Sequence, residues 1–239
     1  MNLLGQALQP SGDHRLLDAG CGTGWNLEAL RAFGTPVGVD LAAEAVAFCR
    51  QRGVAVLRGS LAALPFVDGS FDCVSSLDVL YHAWVTDDQA AVREMARVLK
   101  PGGVLFVRVP ALESLRGAHD EEVFTRHRYT RGEVEALVRG AGLVCDRLTY
   151  ANVLLMPLMA LRRPLDRLLG REGSDVGMLP PPIEWLFRSC LELEARWLRR
   201  LAFPIGASVI AVAHKPVLDA DRAATLSPAR IKREPEVRR

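Results

Sequence analysis

The chain has 239 residues, 49% of them hydrophobic, and a formal net charge of +2. This length is enough for one substantial core, so we expect one domain with an elaboration rather than two independent domains. The excess positive charge comes from the segment after Lys215, where six basic residues outnumber four acidic ones, and the body of the chain is neutral. A neutral body lacks the electrostatic footprint that is typical of nucleic-acid-binding proteins.

The five cysteines are scattered and form no C-x-x-C pair, which argues against a zinc cluster or a disulfide framework. Residues 1–9 lack the basic region and long apolar core of a signal peptide. No apolar run reaches the ~20 residues that span a bilayer. The sequence therefore predicts a cytoplasmic protein without a metal site.

The first buried strand is predicted to end in a glycine-rich loop. An apolar run at 16–17 leads to Asp18, glycines follow at positions 20, 22 and 24, and a helical pattern runs from Trp25 to Phe33. A helix that begins behind such a loop directs its first N–H groups toward a ligand. Trp25 stands where the dinucleotide fingerprint G-x-G-x-x-G needs its third glycine, so the loop is not that fingerprint.

A second apolar run, at 37–39, also ends in an acidic residue, Asp40. In a βαβ unit its distance from the glycine loop places a carboxylate at the end of the neighbouring strand, within reach of ribose hydroxyls. The segments LLDAGCGTG, GVDL, LPFVDGSFD and VLKPGG follow one another along the chain. With these four motifs, residues 15–150 resemble a class I S-adenosylmethionine-dependent methyltransferase.

The resemblance implies S-adenosylmethionine as the cofactor and an α/β, Rossmann-like fold: a mostly parallel seven-stranded sheet with an antiparallel last strand. It also implies that the glycine loop accommodates the methionine part, that Asp40 takes the ribose hydroxyls, and that the methyl group points toward the end of strand four. Ser60 stands where the family usually has an acid for the adenine amino group, and a hydroxyl is a weaker acceptor. The cofactor-binding residues predicted on this basis are Asp18, Gly20, Cys21, Gly22, Gly24, Asp40, Leu41, Ser60, Leu61 and Leu77.

The remaining elements follow from periodicity and from capping signals. Residues 1–8 are expected to form about two helical turns, so cover over the cofactor is expected to be short or to come from elsewhere. Helices are predicted at 42–52 and after the T-x-x-Q and T-x-x-E patterns at Thr86 and Thr130, and segment 110–128 is predicted to be irregular. Strands are predicted to end at Asp18 and to span 36–40, 54–58, 71–76, 104–109, 143–150 and 207–214.

Segment 151–206 separates the last two strands and contains apolar patches. We interpret it as a helical substrate lid within a domain of residues 1–215, with a membrane-surface or dimer face as the competing interpretation. From Ile183 the apolar positions form a helical stripe that includes Glu194. A carboxylate on an inward face needs a partner, and an arginine ion pair is favoured over a substrate contact. Residues 216–239 are expected to be a flexible basic tail.

Methyl transfer is an in-line displacement, so the protein mainly positions a nucleophile, and a base serves only a nucleophile that must lose a proton. The candidate catalytic residues are His82 and His119 as bases, with Tyr81 as a hydroxyl that orients the acceptor. A structural role is weighed equally for His82, and a loop contact is favoured for His119. Residues 127–129 are expected to anchor a loop, and Asp72 is expected to be structural.

The sequence thus predicts a methyltransferase for a small or lipophilic acceptor, with oxygen slightly favoured as the accepting atom. The alternative is a non-catalytic relative that binds a partner protein through the apolar insert. A nucleic-acid methyltransferase ranks third, because the body is neutral and the base-clamping N/D-P-P-Y motif is absent. The insert also allows peripheral membrane contact without a transmembrane segment, and the acceptor and the oligomeric state stay open.

Overall fold

The computed structural model describes residues 3–9, 11–158, 160 and 180–217. Its centre is a seven-stranded sheet in the order β3-β2-β1-β4-β5-β7-β6, which confirms the predicted α/β fold. Strand β7 runs antiparallel to β5 and β6, and the other neighbours pair in parallel. The strands are β1 (Arg15–Ala19), β2 (Thr35–Asp40), β3 (Val56–Arg58), β4 (Phe71–Leu77), β5 (Leu99–Pro110), β6 (Val144–Ala151) and β7 (Ser208–His214).

Helices cover both faces of this sheet. They are α1 (Leu4–Ala7), α2 (Trp25–Leu30), α3 (Ala43–Gln51), α4 (Asp88–Val98), α5 (Ala118–Glu122), α6 (Arg131–Gly140) and α7 (Pro181–Trp197). The N-terminal helix is one turn rather than two. Segment 110–128, predicted to be irregular, contains α5 and a 3-10 turn at Glu113–Leu115.

The side chains of the strands belong to two hydrophobic cores, one on each face of the sheet. Helices α4 and α6 pack on one face through residues such as Met95 and Val138. On the other face lie α1 to α3 and Leu198, which directly follows α7. Because successive strand residues point to opposite faces, Leu16 and Leu17 enter different cores. Each fully buried leucine contributes about 2 kcal/mol to folding.

One of the two predicted capping boxes forms. At α6 the Thr130 Oγ1 accepts from the Glu133 amide at 3.3 Å, and the Glu133 carboxylate accepts from the Thr130 amide at 2.7 Å. The box predicted at Thr86 is wrong, because Asp87 is the N-cap of α4 and accepts from the Ala90 amide at 2.8 Å. A carboxylate caps a helix at least as well as a threonine hydroxyl.

The loop between β5 and α6 is held by buried polar contacts, as predicted for residues 127–129. The Arg128 guanidinium donates to the Asp120 carboxylate at 2.8 Å, and both side chains are almost fully buried. The Tyr129 hydroxyl donates to the Asp88 carboxylate at 2.6 Å. Asp72 is structural, as expected, since it accepts from the Lys100 ammonium at 2.7 Å and from a backbone amide of β1.

Glu194 on α7 has a different partner from the predicted one. Its carboxylate, 2% exposed, accepts from the backbone N–H groups of Asn152, Val153 (2.8 Å) and Leu154 (3.1 Å), so the predicted arginine ion pair is wrong. These amides follow β6, where Asn152 turns the chain at φ 58°. Backbone donors outside a strand ladder need acceptors, and the carboxylate supplies them. Most of the predicted basic tail lies outside the described residues.

Candidate functional site

A cavity of about 400 Å³ opens at the carboxyl ends of β1, β2 and β4. This is the edge at which open α/β sheets bind ligands. Eight of the ten predicted cofactor-binding residues line it: Gly20, Cys21, Gly22, Asp40, Leu41, Ser60, Leu61 and Leu77. The glycine loop and Asp40 therefore face the same cavity.

The glycine loop presents bare backbone to this cavity. Gly20 has a φ of 85°, and a Cβ there would lie 2.4 Å from a methyl carbon of Val79. At Gly22, φ is 52° and a Cβ would meet nothing within 4 Å. Only glycine adopts both conformations without strain. The first position thus allows the close approach to the segment that follows β4, and the second leaves open space for a ligand.

Asp40 ties the loop to the end of β2. One carboxylate oxygen accepts from the Gly22 amide at 2.8 Å, and the other accepts from the Ala42 amide at 2.9 Å. Each oxygen of an ionised carboxylate has two acceptor sites. The backbone therefore fixes the orientation of Asp40 and leaves it able to accept hydrogen bonds from ligand hydroxyls.

Asp18 and Gly24, at the two ends of the loop, do not line the cavity. Asp18 is fully buried, and its Oδ1 accepts from the Ser75 hydroxyl at 2.7 Å. Within the described part of the chain its Oδ2 has no hydrogen-bond partner. Burial, with a smaller contribution from the Asp40 charge, raises the pKa of Asp18 to about 7.

One side of the cavity lies at the ends of β2 and β3 and consists of Leu41, Ser60 and Leu61. Leu41 is 46% exposed, whereas Leu61 is buried. The Ser60 Oγ accepts from the Ala62 amide at 3.2 Å, so its O–H hydrogen remains for a ligand. This arrangement can hold a flat apolar ring with polar edges.

At the end of β4 the chain turns sharply at Asp78, which has a φ of 57°. The Asp78 carboxylate lines the cavity and forms an ion pair with the Arg108 guanidinium of β5. Both partners are about a third exposed or more. Sequence patterns do not reveal this pair, because its members lie on different strands and only the parallel pairing of β4 with β5 brings them together.

Four aromatic side chains form a stacked series beside the cavity. Ring centroids are 4.4 Å apart for Tyr81 and His82, 5.6 Å for His82 and Trp84, and 5.5 Å for Trp84 and Phe124. His82 and Trp84 line the cavity, and Trp84 is 61% exposed. Trp25, at 75% exposed, lines it as well. Exposed tryptophans at a cavity mouth offer contact area to an apolar ligand.

Of the three predicted catalytic residues, His82 lines the cavity. Burial lowers its pKa, which favours a neutral imidazole. Its Nδ1 is buried and has no hydrogen-bond partner among residues that the structure describes. Tyr81 lies behind it, and burial raises the pKa of its hydroxyl, so the phenol stays protonated. His119 lies in α5, and its side chain is not among those that the structure describes.

A smaller cavity of about 160 Å³ lies under α7. Its wall is largely apolar, with Phe106 from β5, Ile210 from β7 and Leu191 from α7, and it also includes Arg108. Since Arg108 pairs with Asp78, the ion pair connects the walls of the two cavities. The smaller cavity is therefore a neighbour of the larger one on the side of β5.

Within the described ranges, no cluster of three His, Cys, Asp or Glu side chains is placed to hold a metal ion. None of the helices described is both long and apolar enough to cross a membrane.

Comparison with known proteins identifies this arrangement. The profile of a methyltransferase domain matches residues 17–107. The malonyl-[acyl-carrier protein] O-methyltransferase of Erwinia pyrifoliae is 45% identical over 103 residues, which cover 41% of this chain and 38% of that protein. A probable tRNA methyltransferase 9B of Bos taurus is 39% identical over 99 residues, which cover 40% of this chain and 22% of that protein. These alignments span less than half of either relative.

A solved structure agrees over a longer range. Phosphoethanolamine N-methyltransferase 2 of Haemonchus contortus, in complex with S-adenosyl-L-methionine, superimposes with a TM-score of 0.61 at 18% identity. The superposition covers 90% of this chain and 52% of that one, and it supports the fold alone. The names of the three proteins refer to three different acceptors, so the shared region reports the domain and not the acceptor. Residues 17–107 thus match a methyltransferase domain, and the fold of the described chain is that of a methyltransferase solved with S-adenosyl-L-methionine.

Proposed function

We propose that this chain transfers the methyl group of S-adenosylmethionine to an oxygen atom of a small or lipophilic acceptor. The observation that carries the proposal is that the glycine loop, Asp40 and His82 line one cavity at the carboxyl edge of the sheet. The loop and Asp40 supply a cofactor site, and His82 supplies a proton acceptor beside it.

The residues present fit the cofactor. Open space at Gly22 leaves room for the methionine part, and Asp40 has acceptor sites left for ribose hydroxyls. Leu41 and Leu61 offer apolar surface to the purine. When bound, S-adenosylmethionine supplies a methyl group on a positively charged sulfur, and the carboxylate of Asp40 favours a positive charge in this cavity.

The acceptor end of the proposal rests on β4, β5 and α7. A neutral His82 would take the proton of an acceptor hydroxyl onto its imidazole as the hydroxyl oxygen bonds to the methyl carbon. The bond from that carbon to sulfur would break, and the sulfur would keep the electron pair and become neutral. Exposed Trp84 and the apolar cavity under α7 suit a lipophilic acceptor. The O-methyltransferase named among the relatives favours oxygen over nitrogen.

Calorimetric titration with S-adenosylmethionine tests the cofactor site. We expect saturable binding by the parent chain and at least tenfold weaker binding by Asp40→Ala, which corresponds to ~1.4 kcal/mol. The exposed Asp13→Ala variant is the matched control and keeps the parent affinity. An absence of binding at millimolar cofactor overturns the proposal.

Turnover is tested with methyl-labelled cofactor and a panel of hydroxylated, carboxylated and amine-bearing lipophilic compounds. His82→Ala is expected to lower the rate with a hydroxyl acceptor by roughly a hundredfold, while cofactor affinity stays within twofold. Cofactor binding without turnover of any acceptor, together with a stable protein complex, supports instead a non-catalytic protein that binds a partner. The apolar outer surface of α7 is the observation that keeps this second function open.

A further inference from the structure

Helix α7 carries an exposed apolar stripe on its outer side. Leu186, Leu193 and Trp197 lie at i, i+7 and i+11 and therefore project from one flank of the helix. They are 51%, 40% and 41% exposed, and Trp185 at 69% and Leu201 at 53% extend the apolar surface at either end. Monomeric proteins rarely leave such contiguous apolar surface in water, and its presence indicates an interaction site.

The C-terminal end of this stripe is basic. Arg196, Arg199 and Arg200 line one depression together with Trp197, Leu201 and Gln6. Among the described residues, none of these three guanidinium groups forms an ion pair with a carboxylate. Arg188, nearer the N-terminus of α7, instead forms an ion pair with Glu184 at 3.3 Å. The guanidinium groups without an ion pair are therefore concentrated beside Trp197.

The opposite side of α7 forms the roof of the smaller cavity. Leu191, Glu194, Ala195 and Leu198 line that cavity together with Arg108 of β5. Glu194 fixes the helix to the turn after β6, and the Arg147 guanidinium donates to the Leu201 carbonyl at 2.7 Å. One helix thus separates the smaller cavity from the exposed apolar and basic surface.

We propose that the outer surface of α7 docks on an anionic phospholipid membrane. Leucine and tryptophan side chains enter the boundary between headgroups and acyl chains, and the three arginines contact phosphate groups. Tryptophan beside arginine is the composition that such interfaces favour. In this orientation the smaller cavity lies close to the lipid surface, where a lipophilic molecule can enter it.

Charge decides between a membrane and a second copy of the chain. An isologous dimer whose two-fold axis passes through the basic end of this surface would place the three arginines of one protomer near those of the other, and like charges at an interface cost several kcal/mol. An anionic lipid surface instead attracts each of them, and each contributes roughly a fivefold gain in affinity. A membrane is therefore the occupant that the charges favour.

Vesicle sedimentation tests this proposal with the full chain. We expect binding to vesicles of phosphatidylcholine mixed with phosphatidylglycerol, weak binding to phosphatidylcholine alone, and a loss of binding as salt is raised. The variant R196Q/R199Q/R200Q is expected to bind at least tenfold more weakly. The control R50Q/R93Q/R139Q removes three exposed arginines from α3, α4 and α6 and is expected to retain most of the binding.

The apolar stripe is tested separately. L186S/L193S is expected to lose at least tenfold in vesicle affinity, whereas L57S/V67S, which changes two exposed apolar residues elsewhere, keeps it. Circular dichroism melts confirm that each variant folds. Equal sedimentation with neutral and anionic vesicles overturns the proposal, as does a stable dimer that L186S/L193S dissociates.

The membrane proposal goes beyond the proposed function and fails independently of it. A chain that binds S-adenosylmethionine but no vesicles keeps the proposed function and loses the membrane surface. A chain that binds anionic vesicles through α7 but no cofactor keeps the membrane surface and loses the proposed function.

Discussion

The glycine loop at 18–24 and the α7 insert differ in what holds them in place. In the loop, the amides of Gly20 and Cys21 donate to the Val39 carbonyl at 2.8 and 3.0 Å, and Asp40 accepts from Gly22. The partners in these contacts lie close together in sequence, and most of the groups involved are backbone groups. The insert is held by two side chains whose partners are distant in sequence. Glu194 accepts from the Val153 amide, 41 residues away, and Arg147 donates to the Leu201 carbonyl, 54 residues away.

This difference separates what the domain shares with its relatives from what distinguishes it. The matched methyltransferase profile covers residues 17–107 and thus includes the loop, Asp40 and His82. It ends before α7, the roof of the smaller cavity and the arginine cluster. Under the proposed function, we expect cofactor binding to depend on this locally encoded backbone and acceptor choice to depend on the long-range contacts of the insert.

The largest expected effect concerns Asp18, the first residue of the loop. Its folded-state pKa of about 7 lies above the ordinary 3.8, so between these values the folded chain holds a proton that the unfolded chain has released. Stability therefore falls as pH rises through this window. Relative to Asp18→Asn, the parent should lose on the order of 4 kcal/mol between about pH 4 and pH 8.

Urea unfolding of both chains across this pH range measures the difference directly. The exposed Asp13→Asn variant controls for the loss of one carboxylate and should run parallel to the parent. Parallel curves for Asp18→Asn and the parent would show that burial does not perturb this carboxyl.

The next effect tests the insert. Glu194→Ala leaves three backbone N–H groups without their acceptor, and since water reaches some of them we expect a loss of about 3 kcal/mol in unfolding free energy. Glu184→Ala, in the exposed ion pair on the same helix, should change stability by under ~1 kcal/mol. Thermal unfolding distinguishes the two. A similar small change for both would mean that α7 is held by apolar packing alone.

Gly20→Ala tests the loop by adding a methyl group, whereas Glu194→Ala removes a side chain. The added Cβ meets Val79 at 2.4 Å with φ at 85°, so strain and crowding should cost about 2 kcal/mol. Cofactor affinity should fall with it, while vesicle binding through α7 stays unchanged. Gly12→Ala is the control, since a Cβ there meets nothing within 4 Å. Loss of vesicle binding by Gly20→Ala would show that the two regions are coupled.

The smallest effect on stability is expected at the boundary between the two cavities. Arg108→Gln breaks the ion pair with Asp78, and a pair this exposed to solvent stabilises the fold by under ~1 kcal/mol. The acceptor KM should rise several-fold, because Arg108 lines the acceptor side, with cofactor affinity within twofold of the parent. Steady-state kinetics and calorimetry provide the two readouts. An unchanged acceptor KM would place the acceptor elsewhere.

The arrangement of the glycine loop and Asp40 around one cavity could be predicted because its signals are local. The glycine spacing and the distance from Gly20 to Asp40 depend only on the turn and on one βαβ unit. The capping box at Thr130 was equally local and forms. At Thr86 the same logic was one residue off, because Asp87 competes for the cap and Gln89 instead donates to the Leu137 carbonyl of α6 at 3.1 Å.

The surroundings of β4, β5 and α7 could not be predicted in the same way. Helical periodicity placed Glu194 on one inward stripe with Leu186 and Trp197, but only Glu194 is buried and the other two side chains are exposed. The partners of Glu194 are backbone amides, which have no sequence signature. Asp78 and Arg108 meet only through the register of β4 on β5. Trp84 has no neighbour in sequence that reveals its exposure, since a tryptophan after a strand is equally compatible with the core.

The distribution of tryptophan gives this chain built-in optical probes. Trp25 and Trp84 line the larger cavity, and Trp185 and Trp197 lie on α7. These four are all the tryptophans in the sequence. Replacing one pair by phenylalanine leaves indole emission that reports the other pair alone, so quenching by a nucleoside and a blue shift on a lipid bilayer can be recorded as separate signals without any attached dye.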